Sequence, residues 1–299
     1  MQKSLSGIVY GLLSSAAFGL IPFFTLPIVA SGIRVETALT YRFGIATLVM
    51  GLILLRRRAT LAIGWLPFIK ICCLGFAYML AVLLYFHALA FLPSGVVGTL
   101  QFQYPVMVML IMIIFFHERF AWQNALAIGL AVAGVAFLSL GQEGMSADSG
   151  ANIVIGTVLS LLSGFFNGLY FVGIQVARLP KIDELVFTFY VMLFGSIFCF
   201  CNSLIMGALE WIPWGTALLN AMLLALVTAV FSNLMLVLAI RKSGSTVTSI
   251  MGVMEPLTAV AVGCLVFQEP FTPALALGIA LITGAVMLTL LTPGRKPGA

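Results

Sequence analysis

The chain reads as an all-α integral membrane protein, ten transmembrane helices forming two inverted five-helix repeats, and three observations predict it. Hydrophobic residues occupy 62% and charged residues 8% of 299 positions, too little polar surface to cover a water-soluble body of this size. Apolar stretches of about 20 residues, the length that crosses roughly 30 Å of hydrocarbon, occur ten times. One short phrase is written twice, F-F-H-E-R-F at 115–120 and V-F-Q-E-P-F at 266–271, each with a proline 13 residues before its glutamate: Pro105 before Glu118 and Pro256 before Glu269.

The first apolar stretch, 8–30, follows Lys3 and contains S-S-A-A, but it is longer than the core of a usual cleaved signal peptide and is read as a span. The second, 37–55, carries Arg42 at its sixth position, close enough to the outer face to snorkel. In 66–91 Tyr78 and Tyr85 share a helical face; 94–116 holds Pro105; 121–139 is glycine-rich. Ser163, Asn167 and Tyr170 fall at i, i+4, i+7 in 152–177. After 184–207 comes 216–240, with Thr228, Ser232 and Asn233. Then 245–267 places Thr248, Gly252 and Glu255 on one face, Glu255 being the eleventh of its 23 residues. The last stretch, 273–291, has small residues at Ala276, Ala280 and Gly284, as 121–139 has at Ala127, Gly129, Ala131 and Ala133. Such spacing brings helices close, within the chain or between copies; a monomer is expected.

Ten spans put 12 of the 14 basic residues on one side, Arg56, Arg57, Arg58, Lys70, Arg241 and Lys242 among them, and only Arg34 on the other. The positive-inside bias then predicts both termini in the cytoplasm. Basic loops facing an anionic leaflet account for the net charge of +5 with lipid as partner and no nucleic acid.

Five spans per half is an odd number, so the second half enters the membrane from the opposite side. A shift of 151 residues aligns Ala88 with Ala239, Ser94 with Ser245, Pro105 with Pro256, Phe116 with Phe267, Glu118 with Glu269 and Phe120 with Phe271. A shift of 149 aligns Ser14 with Ser163, Gly19 with Gly168 and Gly129 with Gly278. The expected division is a first repeat at 1–140, a linker at 141–151 and a second repeat at 152–299. Oppositely oriented halves of this kind support alternating access about a midplane site.

An apolar helix with a central proline, a short F-x-E-x-F turn and a glycine-rich helix such as W-Q-N-A-L-A-I-G-L-A-V-A-G-V (122–135) resembles the EamA-type domain of the drug/metabolite transporter superfamily. The second copy, at 255–286, resembles it more closely, and R-F-G-I-A at 42–46 matches the family's second-helix arginine. The resemblance covers essentially the whole chain. It implies ten helices as inverted five-helix repeats and export of amino acids or related metabolites across a bacterial inner membrane, as in YddG-type exporters of aromatic amino acids.

Site candidates follow from polar groups that lipid does not tolerate. A charge at mid-bilayer costs about 2.5–3.5 kcal/mol, which singles out Glu255 as a group that titrates or holds a substrate amine, or else locks helices together. Pro105 and Pro256 remove amide protons, so the carbonyls of Gln101 and Gly252 lose their helical partners. These broken helices either line a cavity or are re-satisfied by a neighbouring hydroxyl; as hinges they name Pro105, Pro256 and Gly252. Tyr78, Tyr85, Gln101, Asn167, Tyr170, Ser232, Asn233, Thr248 and Glu255 make an aromatic, amide-bearing lining with little fixed charge. That suits a zwitterionic or apolar metabolite better than a phosphorylated one.

Other classes are weaker. His117-Glu118 has Ala121 where H-E-x-x-H needs histidine, Ser163-Gly164 lacks the glycine of G-x-S-G, and no phosphate loop is present, so neither an intramembrane enzyme nor direct ATP drive is expected. Cys72, Cys73, Cys199, Cys201 and Cys264 form no readable disulfide or metal framework, and no metal or cofactor is expected. An exporter of other metabolites or drugs, or a channel-like facilitator, remains as the alternative.

Overall fold

The structure, a computed structural model, describes residues 5–88, 91–92, 97, 100–117, 121–140, 150–177, 182–266 and 272–291. Glu118 and Glu269, the F-x-E-x-F turns, residues 141–149 of the linker, and Lys3, Ser94, Arg119, Arg178, Lys181, Arg295 and Lys296 lie outside the described residues.

Every regular element among the described residues is helical: α1 (Leu5–Phe18), α2 (Ile21–Ala30), α3 (Val35–Arg56), α4 (Trp65–Ala88), α5 (Tyr104–Phe116), α6 (Trp122–Leu140), α7 (Gly150–Val176), α8 (Glu184–Ile205), α9 (Thr216–Leu223), a π-helical segment (Leu224–Phe231), α10 (Ser232–Ser243), α11 (Ser245–Met251), α12 (Met254–Val266) and α13 (Pro273–Leu291). Seven helical runs are long and apolar enough to cross a membrane: Leu5–Ala30, Val35–Arg56, Trp65–Ala88, Ile153–Val176, Glu184–Ile205, Thr216–Ser243 and Ser245–Val266. Three shorter apolar helices, Tyr104–Phe116, Trp122–Phe137 and Ala276–Leu288, occupy the places of the other expected spans. The 13 residues of α5 reach only about 20 Å at 1.5 Å per residue.

Three expected straight spans are broken, and proline locates each break. A proline has no N–H, and its ring crowds the carbonyl four residues earlier. For Pro22 that carbonyl is on Phe18, where α1 ends; for Pro105 it is on Gln101, just before the turn at Phe102–Gln103; for Pro256 it is on Gly252, where α11 gives way to α12. In α7 the position equivalent to Pro22 is Phe171, and the helix runs unbroken for 27 residues. The Gly252 carbonyl, which loses its helical partner as expected, finds another donor in the backbone rather than in a neighbouring hydroxyl. It accepts the Glu255 N–H at 2.9 Å, a tighter i→i+3 turn replacing the missing bond.

Packing repeats along with the sequence. α1 packs on α10, and α7 packs on α4. In the first pair the Ser14 hydroxyl donates to the Ser232 carbonyl at 2.8 Å; in the second, the Ser163 hydroxyl donates to the Ala81 carbonyl at 2.7 Å. Ser14 and Ser163 are 149 residues apart, Ala81 and Ser232 151 apart, so one interhelical bond is made twice. Gly19 and Gly168 repeat the relation: the α-carbon side of Gly19 lies against the Glu255 carbonyl, that of Gly168 against the Tyr104 carbonyl, and Tyr104 and Glu255 are again 151 apart. Helix association in lipid lacks the hydrophobic drive available in water, so small residues and such bonds hold the contacts.

Two further pairs likewise cross between the halves: α3 packs on α8, and α6 on α13. Small residues of α6 serve this contact within the chain, with Ala127 and Ala131 buried and the backbone at Gly134 close to the Gly278 carbonyl. The main core, around Phe43, Tyr78, Tyr170, Phe187 and Met192, lies between α3, α4, α7 and α8. Leu48, Leu52, Leu162, Ile197 and Met222 point outward, as expected of surfaces that meet hydrocarbon.

The helix ends separate charge. At one end Arg34 pairs with Glu210 at 3.0 Å and donates to the Gly207 carbonyl, while Thr37 donates to the Ala208 carbonyl. At the other, Arg241 pairs with Glu184 at 3.0 Å, Lys70 reaches the Ala177 carbonyl at 3.3 Å and Lys242 the Ser6 hydroxyl at 3.3 Å. Arg56, Arg57 and Arg58 lie exposed at this second end, where α3 stops.

Candidate functional site

The broken helices converge on a cavity in which about 60 Å³ is open to the centre of a water molecule, enough for a few waters. α1 contributes Ser14, Ser15 and Phe18; α4 contributes Tyr78, Tyr85 and Phe86; α7 contributes Asn167 and Phe171. Gln101 and Tyr104 flank the break before Pro105, and Glu255 follows the break at Gly252–Val253. Arg42 of α3 and Leu236 of α10 complete the polar and apolar extremes of the wall.

Arg42 corrects the sequence reading. It does not snorkel: it is 1% exposed, donates from Nη2 to the Thr228 carbonyl at 3.0 Å, and holds its guanidinium carbon 5.8 Å from the Phe43 ring centre. The acceptor lies within the π-helical segment, an irregularity the sequence did not announce and one that recurs at functional sites. Nε and Nη1 of Arg42 have no hydrogen-bond partner among the described residues. With Glu255 on the same cavity, the lining includes one basic and one acidic side chain. Among the described residues the ion pairs are Arg34–Glu210 and Arg241–Glu184, so the two cavity charges are not paired with each other.

Of the nine expected lining residues, Tyr78, Tyr85, Gln101, Asn167 and Glu255 border this cavity. Tyr170 and Asn233 stand behind the wall: the Tyr170 hydroxyl donates to Asn233 Oδ1 at 3.3 Å, and Asn233 Nδ2 donates to the Tyr78 hydroxyl at 3.0 Å. The Tyr78 oxygen accepts in that chain and retains one O–H to donate. Ser232 is buried against Ser14, the two hydroxyls 3.3 Å apart and each donating to the other's carbonyl at 2.8 Å. Thr248 bonds its own helix, donating to the Gly244 carbonyl at 2.7 Å, and Gly252 lies at the break; neither borders the cavity. Gln101 Nε2 donates to the Ser163 hydroxyl at 3.2 Å, tying the first repeat's break to α7. Sequence reasoning missed Ser14, Ser15, Tyr104 and Phe171 as lining. Tyr104 had a signal, since it occupies the position equivalent to Glu255. No cluster of three or more metal-ligating side chains occurs among the described residues.

Residues 5–140 and 154–291 each match the EamA-like transporter family. The chain belongs to that family. The double match places the EamA family pattern on both halves of the chain, within the drug/metabolite transporter superfamily, and agrees with the seven helical runs long and apolar enough to cross a membrane. A curated relative, the uncharacterized transporter sll1319 of Synechocystis sp., is 27% identical over 221 residues, 72% of this EamA-family chain. The match spans 64% of that relative's own length. A solved crystal structure, described only as that of a protein, superposes with a TM-score of 0.82 over 96% of each chain at 16% identity, a likeness of fold alone.

Proposed function

We propose that this EamA-family protein is a secondary carrier that exports amino acids, neutral and aromatic ones among them, or related small metabolites across a bacterial cytoplasmic membrane. It works by alternating access between two inverted five-helix repeats, 1–140 and 152–299, joined by 141–151, with ten spans and both termini cytoplasmic. Pro105, Pro256 and Gly252 are its hinges. The observation that carries this reading is the cavity itself: equivalent breaks from both halves meet at one chamber whose wall combines aromatic rings, amides and one charge of each sign. A zwitterion with an apolar side chain matches that wall on both counts, whereas a phosphorylated solute calls for several cations. The concentration of exposed basic residues at one end, against Arg34 at the other among the described residues, supports the orientation.

The test is counterflow in proteoliposomes preloaded with unlabelled neutral amino acids. Saturable accumulation of labelled phenylalanine, threonine or methionine, without ATP or an imposed ion gradient, is the expected result. Absence of exchange across the amino-acid panel in folded protein, with exchange of cationic drugs or nucleotide-sugars instead, overturns the substrate reading. Single-channel current steps in a planar bilayer overturn the carrier reading.

A further inference from the structure

Arg42 is an unusual expense in a membrane interior. A buried cation is tolerated when its donors are met, yet here only Nη2 bonds the protein, through the Thr228 carbonyl, while the buried Nε and Nη1 have no hydrogen-bond partner among the described residues. The side chain is 1% exposed and borders the cavity. Nη2 has two hydrogens and shares one edge of the planar guanidinium with Nε and the other with Nη1. Whichever hydrogen Thr228 takes, the opposite edge keeps two parallel N–H bonds, the fork that matches a carboxylate. The packing on Phe43 and the bond to Thr228 hold that fork in place before any solute arrives. Glu255 is the acid on the same cavity, on another helix, and makes no ion pair with Arg42.

We infer that Arg42 binds the substrate's α-carboxylate in this fork while Glu255 faces its α-ammonium, so that the carrier selects whole α-amino acids over solutes carrying only one of the two charges. The inference rests on the amino-acid reading above and sharpens it. Two opposite charges meeting a zwitterion leave the loaded cavity neutral, which lowers the cost of enclosing it in a low-dielectric surround. Phe18, Phe86 and Phe171 are left to receive the side chain.

The wild-type protein supplies the first test. In proteoliposomes exchanging labelled phenylalanine, competition is measured with phenylalanine, phenylalaninamide, phenethylamine and 3-phenylpropanoate, which share one ring and differ in the charged groups. The three analogues lacking a charge are expected to need roughly ten-fold or higher concentrations for half inhibition. Phenylalaninamide or phenethylamine competing within about two-fold of phenylalanine overturns the role of the fork. No exchange of any amino acid in folded protein overturns the amino-acid reading and this inference with it, a distinguishable result. Arg42→Gln, with folding checked by its melting transition, is expected to bring phenylalanine and phenylalaninamide to similar half-inhibition values. A variant that keeps the wild-type ratio between them overturns the assignment to Arg42.

Discussion

The phenolic oxygen of Tyr104 lies so close to Gly252 that a β-carbon added at Gly252 would fall on top of it. Tyr104 begins the half-helix after the first repeat's break, and Gly252 ends the one before the second repeat's break. The two breaks therefore touch, and glycine is the residue that lets a ring from one half enter the other. Gly252→Ala is expected to destabilise the protein by about 1–3 kcal/mol through overpacking. Adding Tyr104→Phe, which removes the colliding hydroxyl, should restore part of the loss. Thermal unfolding in detergent of the two single variants and the double variant measures the coupling; strict additivity contradicts the contact.

The duplicated serine bonds predict a matched pair of effects. Ser14→Ala and Ser163→Ala each remove one hydroxyl bond to a carbonyl on the partner helix, and each is expected to cost about 0.5–1.5 kcal/mol. Ser163→Ala should cost the more, because it also leaves Gln101 Nε2 without its acceptor, whereas the Ser232 hydroxyl beside Ser14 keeps its bond to the Ser14 carbonyl. Melting temperatures of the two variants test the order.

Glu255→Gln keeps shape and removes the charge at the cavity. The protein is expected to fold and to exchange substrate several-fold more slowly in the counterflow assay. Unchanged flux with an unchanged pH profile makes Glu255 a packing residue.

Sidedness is testable at exposed loop positions of opposite ends. In a background with the five cysteines replaced, Ser31→Cys is expected to react with an impermeant thiol reagent added outside intact cells, and Thr60→Cys is expected to react only after permeabilisation. The reverse pattern inverts the orientation.

Each of these arguments draws unequally on sequence and on folded geometry. Composition fixed the solvent, because 62% hydrophobic residues leave only a bilayer to live in, and spacing exposed the duplication through the shared interval between proline and glutamate. Proline chemistry is local, so the depths of the breaks near Gln101 and Gly252 were readable, and Pro22 would have told of the third had its missing N–H been followed in the same way. Glu255 was visible for a similar reason, since depth along a helix is a matter of counting. Which atoms share a chamber is not. Arg42 counts as a residue near a helix end, and only the packing of α3 against the π-helical segment turns its side chain away from the outer face and gives Nη2 to Thr228. Thr248 and Asn233 show the converse: each shares a helix with cavity residues or stands beside them, yet hydrogen bonds to Gly244 and to Tyr78 and Tyr170 engage their polar atoms elsewhere. A one-dimensional period says which residues face the same way along one helix; what stands opposite them is decided by the other half of the chain, some 150 residues distant.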